Sequence, residues 1–306
     1  MKVIFIGSQN IGYGCLEELI EQKHETLLVC TSNPDPHENE WYSSVKILAQ
    51  KNKIPFEIDP DLNSAYWIKK IFKLHPDCIF VMGWRKLISE KIVSLPSYGS
   101  MGIHFSLLPL GRGFAPVNWA IILGWKKTGS SLFYLDTGMD VGAIVSQCHV
   151  NISFDDTAKT LNDKLTSASI LMFRKMLPKI ADKSAPRKIQ NHADAQYFSK
   201  RIPSDGQIDW KQSSLQIYNL IRGLTYPFPG AFSYLDNRKV FIWKTSILEK
   251  IPVWYGIPGQ ILQLLSNGDV LIKTGDGILK IEKVGLTEKE IISPQKYFNK
   301  LSIRLK

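Results

Sequence analysis

Two side chains near the middle of the chain have the chemistry needed to exchange a proton close to neutral pH. His104 ends a short apolar segment, and Asp140 follows the turn at residues 136–138. An imidazole is the group best suited to move a proton at that pH, and a carboxylate beside it fixes its tautomer and favours its charged form. The two residues predict general acid–base chemistry, although a single His and a single Asp do not establish a site by themselves.

The N-terminal half has the pattern of a parallel sheet that could position these two residues. Short apolar runs typical of buried strands alternate with segments of helical spacing. The strand-like runs are 1–7, 27–30, 54–58 and 78–82, and the helix-like segments are 13–22 and 45–50. Such alternation predicts an α/β fold with helices on both faces of a mostly parallel sheet. Ligands bind beyond the carboxyl ends of such strands, so we expect chemistry in the loop after Met82 and around His104.

The C-terminal third has a different pattern. A long helical segment, 157–182, is followed by the polar, irregular residues 186–205 and a second helical segment, 213–224. Five short strand-like runs separated by turn sequences then extend to residue 284, which predicts a small barrel of the OB type. We therefore expect three parts: a catalytic domain at 1–185, a linker at 186–205 and a barrel at 206–306.

Composition excludes several classes of protein. With 44% hydrophobic and 22% charged residues, the chain is an ordinary globular one. Its four cysteines are scattered without a C-x-x-C pair, which argues against a metal site or a disulfide framework and favours reduced thiols in the cytoplasm. The longest apolar runs are strand-sized, so no membrane span or signal peptide is expected. Residues 201–306 carry 15 basic and 9 acidic groups, a balance that suits nucleic acid, a nucleotide-linked substrate or a solvated surface.

Several motifs in a fixed order around His104 point to one family. The chain carries H-x-S-L-L-P from His104, R-G-x-x-P-x-x-W from Arg112, and then D-x-G-x-I from Asp140. Together with the sequences at 201–203, 208–210 and 227–232, these motifs resemble the folate-dependent formyltransferase family. Members of that family move a formyl group from 10-formyltetrahydrofolate to an amine. The resemblance covers nearly the whole chain and implies a Rossmann-like catalytic domain followed by an OB-like domain.

The resemblance assigns catalytic roles and exposes one departure from the family pattern. His104 matches the catalytic histidine and Asp140 the aspartate that tunes it. The family usually has Asn two residues before the histidine, where its amide stabilises the oxyanion, but here that position is Gly102. Losing such a donor costs about 3 to 4 kcal/mol, or roughly 100-fold to 1000-fold in rate. Either water or another donor such as Ser106 or Asn118 replaces it, or the enzyme is slow, or the chain is a binding homologue; we expect retained activity.

The resemblance also indicates residues for the donor and the acceptor. The folate would meet an apolar slot with backbone donors and acceptors. The residues expected there are Lys86, Leu87, Ile88, Asp136, Thr137, Gly138, Met139 and Asp140. A diphosphate on the acceptor would favour cationic and hydroxyl partners. The residues expected for that role are Ser106, Arg112, Arg201 and Arg222.

Two acceptors fit a chain with both domains. Methionyl-tRNA formyltransferases typically carry a basic loop after the second strand, whereas residues 31–42 contain Asp35, Glu38 and Glu40 without Lys or Arg. That segment instead looks like enzymes acting on a nucleotide-linked 4-amino sugar, including the domain that formylates UDP-4-amino-4-deoxy-L-arabinose. We therefore expect a cytoplasmic sugar N-formyltransferase of surface-polysaccharide (lipopolysaccharide O-antigen) synthesis, without nucleic-acid or membrane partners. The resemblance makes a homodimer a candidate assembly, but the sequence leaves the oligomeric state open.

Overall fold

A computed structural model describes residues 1–33, 42–248 and 253–306 of the chain. It contains the following strands and helices in chain order: β1 (Lys2–Gly7), α1 (Gln9–Glu21), β2 (Glu25–Thr31), α2 (Val45–Lys51), β3 (Phe56–Ile58), α3 (Ala65–Leu74), β4 (Cys78–Met82), α4 (Glu90–Val93), β5 (Ser100–His104), β6 (Arg112–Gly113), α5 (Pro116–Ile122), β7 (Lys127–Tyr134), β8 (Ile144–Asn151), α6 (Ala158–Ala181), β9 (Tyr197–Phe198), α7 (Ser214–Leu224), β10 (Ala231–Leu235), β11 (Arg238–Ile247), β12 (Ile261–Leu264), β13 (Val270–Lys273) and β14 (Ile278–Gly285).

The N-terminal part is built on a seven-stranded sheet in the order β3-β2-β1-β4-β5-β7-β8. The first five strands run parallel, β7 is antiparallel to β5, and β8 is antiparallel to β7. This confirms the predicted α/β class with a mostly parallel sheet. The carboxyl ends of β1, β2, β3, β4 and β5 therefore lie along one edge.

Strand β1 shows why the apolar runs form buried strands. Successive side chains of a strand point to opposite faces of the sheet. Phe5 packs in a cluster that includes Leu16 of α1 and Phe173 of α6, whereas Ile4 packs in a second cluster that includes Ile71 of α3. Because helices cover both faces, the strand is apolar from Val3 to Ile6 and does not alternate with polar residues there.

The C-terminal part is a five-stranded antiparallel sheet in the order β10-β11-β14-β13-β12, with α7 packed against it. Ser213 begins α7 with a capping box that pairs it with Gln216. The segment Ile303–Lys306 closes the sheet: Lys306 bonds with Tyr234 of β10, and Ile303 accepts the amide of Ile261 of β12. The five strands and their order along the chain are as predicted, and the closure is the geometry expected of a small barrel.

The chain divides into two compact units. The first comprises Met1–Pro116, Lys127–Asn151 and Asp163–Ser199, and the second comprises Val117–Lys126, Ile152–Asn162 and Lys200–Lys306. The predicted linker at 186–205 carries defined structure, since β9 pairs with β6. The boundaries expected at 185 and 206 stay a prediction. Within the described ranges, no helix combines the length and the apolar character needed to cross a bilayer.

Candidate functional site

His104 is the last residue of β5, at the edge where the parallel strands end. Its Nε2 lies 2.8 Å from the carbonyl oxygen of Gly111. A carbonyl oxygen only accepts hydrogen bonds, so Nε2 carries a proton in this contact. Nδ1 is consequently the nitrogen available to take up or release a proton. Most of the His104 side chain is buried, which fixes the orientation of the ring.

Asp140 faces that nitrogen from the loop between β7 and β8. Its Oδ2 lies 3.7 Å from Nδ1 of His104 and accepts a 2.8 Å hydrogen bond from the backbone amide of Gly113. The distance to Nδ1 is too long for a direct hydrogen bond, so the carboxylate acts on the imidazole mainly through its charge. The structure therefore brings the two predicted side chains together.

The loop approaches this position through an unusual backbone path. Asp140 has a φ of +54°, a conformation that Asp adopts more readily than most residues. At Gly142 a Cβ atom would lie only 1.7 Å from the carbonyl oxygen of Tyr134, so only glycine fits. The aspartate and the glycine of the D-x-G motif thus have separate tasks, one electrostatic and one steric.

Gly102 lies on β5 two residues before His104, on the same face of the strand. A Cβ atom at this position would lie 3.1 Å from Cδ2 of Leu135 and 3.2 Å from the carbonyl oxygen of Val81. The Cβ atom of an asparagine side chain here would therefore be in tight contact with an apolar side chain and a backbone oxygen. Leu135 itself belongs to a small apolar cluster with Leu108 and Phe133.

The two side chains proposed as replacement donors differ in availability. Ser106 is almost fully buried, and its hydroxyl has no hydrogen-bond partner among the described residues. Asn118 is also buried, but its amide donates to the carbonyl oxygen of Gly223 within the C-terminal unit. One N–H of the Asn118 amide is therefore committed, whereas the hydroxyl proton of Ser106 is uncommitted.

The residues expected to hold the folate lie in two loops. In the first, Nζ of Lys86 lies 3.2 Å from Asp59, the Leu87 side chain is 88% exposed, and Ile88 packs in the apolar cluster beside β4. Partial burial alone would raise the pKa of Asp59. The hydrogen bonds from the backbone amide of Asn33 and from Lys86 have the larger combined effect and lower this pKa below its ordinary value. An exposed leucine beside backbone groups is compatible with a flat heterocycle.

The second folate loop runs from residue 136 to Asp140. Asp136 accepts a bond from the backbone amide of Thr137, and Gly138 has a φ of +121°. Met139 is 44% exposed, and its Sδ would lie 3.1 Å from a Cβ at Gly113. The apolar, polarisable side chain of Met139 thus lies beside the His104–Asp140 pair, where it could pack against a flat ring.

Three of the four residues expected at the acceptor are buried in the structure. Ser106, as noted, is buried. Arg112 is fully buried, and its guanidinium is bound by Gln190, Tyr197 and His192. Arg222 is also buried and donates to Asn219 and to the carbonyl oxygen of Asp156; burial lowers its pKa. The guanidinium groups of Arg112 and Arg222 are thus bound by internal partners. The expected role of Ser106, Arg112 and Arg222 toward the acceptor stays a prediction.

Arg201 is the fourth of these residues and is only partly buried. Its guanidinium lies over the ring of Trp119, 4.9 Å from the centroid, and donates to the carbonyl oxygen of Asp205. Burial lowers its pKa, and the nearby carboxylate of Asp205 opposes this effect. Its expected role toward the acceptor stays a prediction.

A polar crevice at the carboxyl edge of the sheet was not predicted from the sequence. It lies where β1, β2 and β3 end and is bordered by the first residues of α1 and α2. Its lining residues include Ser8, Gln9, Thr31, Asn33, Tyr42, Ser43 and Lys46. The sequence feature that could have indicated this crevice is the pair Ser43–Ser44 just before Val45, together with Lys46 in the first turn of α2. The acidic residues Asp35, Glu38 and Glu40 of the preceding segment lie outside the described residues.

The cysteines do not offer an activated nucleophile. All four are unpaired thiols, and burial raises the pKa of each, to about 12 at Cys30. A thiol with a raised pKa stays protonated at neutral pH and is a poor nucleophile. Across the described ranges, no three His, Cys, Asp or Glu side chains are grouped in a way that could hold a metal ion. The site geometry favours acid–base chemistry at His104.

Known protein families and sequences match most of this chain. The pattern described as "Formyl transferase" matches residues 1–176, and "Formyl transferase, C-terminal domain" matches residues 201–302. The chain is 41% identical over 302 residues to the bifunctional polymyxin resistance protein ArnA of Wigglesworthia glossinidia brevipalpis. That alignment covers 98% of this chain but 45% of the relative, so the chain spans about half of its length.

Two solved structures share the fold at low sequence identity. An N-formyltransferase from Helicobacter canadensis, in complex with folinic acid and dTDP-3-aminofucose, has a TM-score of 0.73 and 22% identity, over 92% of this chain and 98% of that one. A methionyl-tRNA formyltransferase from Clostridium thermocellum has a TM-score of 0.60 and 20% identity, over 81% of this chain and 94% of that one.

Proposed function

Because the chain belongs to the formyl transferase family, we propose that it transfers a formyl group from 10-formyltetrahydrofolate to the amino group of a nucleotide-linked amino sugar. The observation that carries the proposal is the placement of the His104–Asp140 pair on the same edge of the sheet as the polar crevice. The ligands named for the Helicobacter canadensis structure, a folate and a dTDP-linked amino sugar, support both substrates.

His104 and Asp140 supply the proton transfer that this reaction requires. When an amine attacks a formyl carbon, the amine must lose a proton and the departing folate nitrogen must gain one. Nδ1 of His104 is free to receive the first proton and to return it. Asp140 lies 3.7 Å away, where its charge stabilises the imidazolium that exists between these two events. The route needs no covalent intermediate on the protein.

The crevice has the chemistry and the position to hold the diphosphate of the acceptor. It is lined by hydroxyl and amide groups and one exposed cation, Lys46. Ser8 follows β1, which is separated from β5 by β4, so the two strand ends lie about two strand spacings, or about 10 Å, apart. A sugar joined to a diphosphate spans a distance of this order. The amine could then lie at His104 while the phosphates lie beside α1.

Lys46→Ala is expected to raise the KM for the nucleotide sugar about tenfold, because one charge-assisted bond to phosphate is lost. The KM for the folate should stay unchanged, since Lys46 does not line the folate loops. Steady-state kinetics with each substrate varied in turn would measure both values. Lys51→Ala, at an exposed position on the same helix, is the matched control. Equal changes in both KM values would contradict the role of the crevice.

A methionyl-tRNA substrate is the second candidate, since the family includes such enzymes and the C-terminal part of the chain is basic. The acidic composition of residues 31–42 is unfavourable for contact with RNA phosphates. A folate-binding homologue with little turnover is the third candidate, because Gly102 provides no side-chain amide. The homodimer, the cytoplasmic location and the role in surface-polysaccharide synthesis stay predictions.

A turnover assay would separate these candidates. The protein would be incubated with 10-formyltetrahydrofolate and UDP-, dTDP- or GDP-linked 4-amino sugars, with aminoacylated initiator tRNA as the competing acceptor. We expect formylation of one sugar nucleotide and none of the tRNA. Formylation of tRNA alone would refute the proposal. Folate binding without turnover of any acceptor would identify a binding protein.

A further inference from the structure

Gln190 occupies a buried position in the segment between α6 and β9 and uses all of its hydrogen-bonding capacity. Its Oε1 accepts bonds from Nε and Nη2 of Arg112, at 3.2 and 2.7 Å. Its Nε2 donates to the carbonyl oxygens of Asp140 and Gly142, at 2.8 and 2.7 Å. The side chain therefore joins a buried guanidinium to the backbone of the loop that carries the aspartate.

Arg112 connects Gln190 to the histidine as well. Gly111 and Gly113, its two neighbours in sequence, contact His104 and Asp140 respectively: the carbonyl oxygen of Gly111 accepts from His104, and the amide of Gly113 donates to Asp140. The three consecutive residues 111–113 thus hold the two catalytic side chains and Gln190 in one arrangement. Gln190 supplies the contact between Arg112 and the backbone of the Asp140 loop.

The loop needs such a link because its backbone is not held by a regular ladder at Asp140. Asp140 has a positive φ, which a free loop would leave readily. The amide of Gln190 binds the carbonyl oxygens at Asp140 and two residues later, on either side of Val141. It therefore fixes the direction in which the Asp140 side chain leaves the backbone.

We propose that Gln190 is a positioning residue of the reaction: its amide group holds the Asp140 loop so that the carboxylate faces Nδ1 of His104. This inference rests on the proposed function for its kinetic consequence, whereas its structural consequence is independent of turnover. It assigns a role to a segment that the sequence pattern describes as a linker.

Gln190→Glu separates positioning from folding. The carboxylate still accepts from Arg112 and pairs with its charge, but it cannot donate to the two carbonyl oxygens. We expect kcat to fall about 100-fold with little change in the KM for the folate, because the aspartate is displaced by a fraction of an ångström to an ångström. Gln190→Ala should lower kcat similarly and also lower the melting temperature, since it leaves Arg112 without its main partner.

Gln295→Glu is the matched control, because Gln295 also donates through Nε2 to two carbonyl oxygens, those of Leu265 and Asp269, in the C-terminal unit. It should leave kcat within about twofold of the unaltered protein, since the displaced loop carries no catalytic group. A loss of kcat in Gln295→Glu equal to that in Gln190→Glu would overturn the proposal, because the effect would then be one of general stability.

Amide hydrogen exchange at Gly113 gives a readout that does not need turnover. The Gly113 amide is protected by its bond to Asp140, so displacement of the loop should accelerate its exchange at least about tenfold in Gln190→Glu, with no change in Gln295→Glu. Unchanged exchange at Gly113 would overturn the positioning role, whatever the activity. Accelerated exchange in a protein that formylates no acceptor would support the positioning role and refute the proposed function alone.

Discussion

His104→Ala is expected to lower kcat for formyl transfer about 1000-fold, because the side chain is the proton acceptor and donor of the reaction. The binding constant for the folate should change little, since the imidazole acts chiefly in the transition state. Rapid-quench or steady-state assays would give kcat, and fluorescence titration would give the folate affinity. The result would locate the chemistry at the end of β5.

His149→Ala provides a matched control for this experiment. His149 lies on β8 and is exposed, so its loss should leave both kcat and folate affinity unchanged. If His104→Ala retained most of its activity, the proton would have to be carried by another group, and the assignment of the site would be wrong. If folate affinity fell as much as kcat, His104 would be a binding residue.

Gly102→Asn is expected to raise kcat when it is combined with Leu135→Ala. The amide would restore an oxyanion donor on the same face as His104, and such a donor is worth about 100-fold or more in rate. Alone, the substitution should yield much less, because its Cβ would lie 3.1 Å from Leu135 and 3.2 Å from the backbone oxygen of Val81. Removing the Leu135 side chain relieves the first of these contacts.

This prediction is tested by comparing kcat of the double variant with kcat of Leu135→Ala alone. The single variant is the correct reference because removing the Leu135 side chain has its own effect on stability. A gain in kcat with unchanged substrate KM values would show that the missing amide limits the rate. No gain would mean that another donor already serves the oxyanion, and Ser106, with its uncommitted buried hydroxyl, would be the next residue to replace.

The sequence was sufficient to predict the elements that rest on local patterns. The continuous apolar run of β1 and the long helical spacing of α6 each reflect burial along one element, which a short stretch of residues encodes. The pairing of His104 with Asp140 was also predictable, but only because the surrounding motifs occur in a known order. Without that resemblance, 36 residues of separation would have left the pairing undetermined.

The partners of the buried polar groups could not be predicted in this way. Arg112 and Arg222 are buried, and nothing in the sequence around an arginine indicates whether its side chain is enclosed. Gln190 meets Arg112 across 78 positions of the chain, and its bonds to the Asp140 loop span about 50. Contacts of this kind depend on how distant segments meet in three dimensions, and no periodicity records them.

The closure of the C-terminal sheet has a consequence for self-association. An unpaired strand edge is a template on which a second chain can add a strand. Because Ile303–Lys306 bonds with Tyr234 at one edge and with Gly259 and Ile261 at the other, those backbone groups are not available to another molecule. A homodimer formed through this region would therefore have to be held by side chains on the outer face of the barrel, and continuous strand pairing between subunits is disfavoured at both positions.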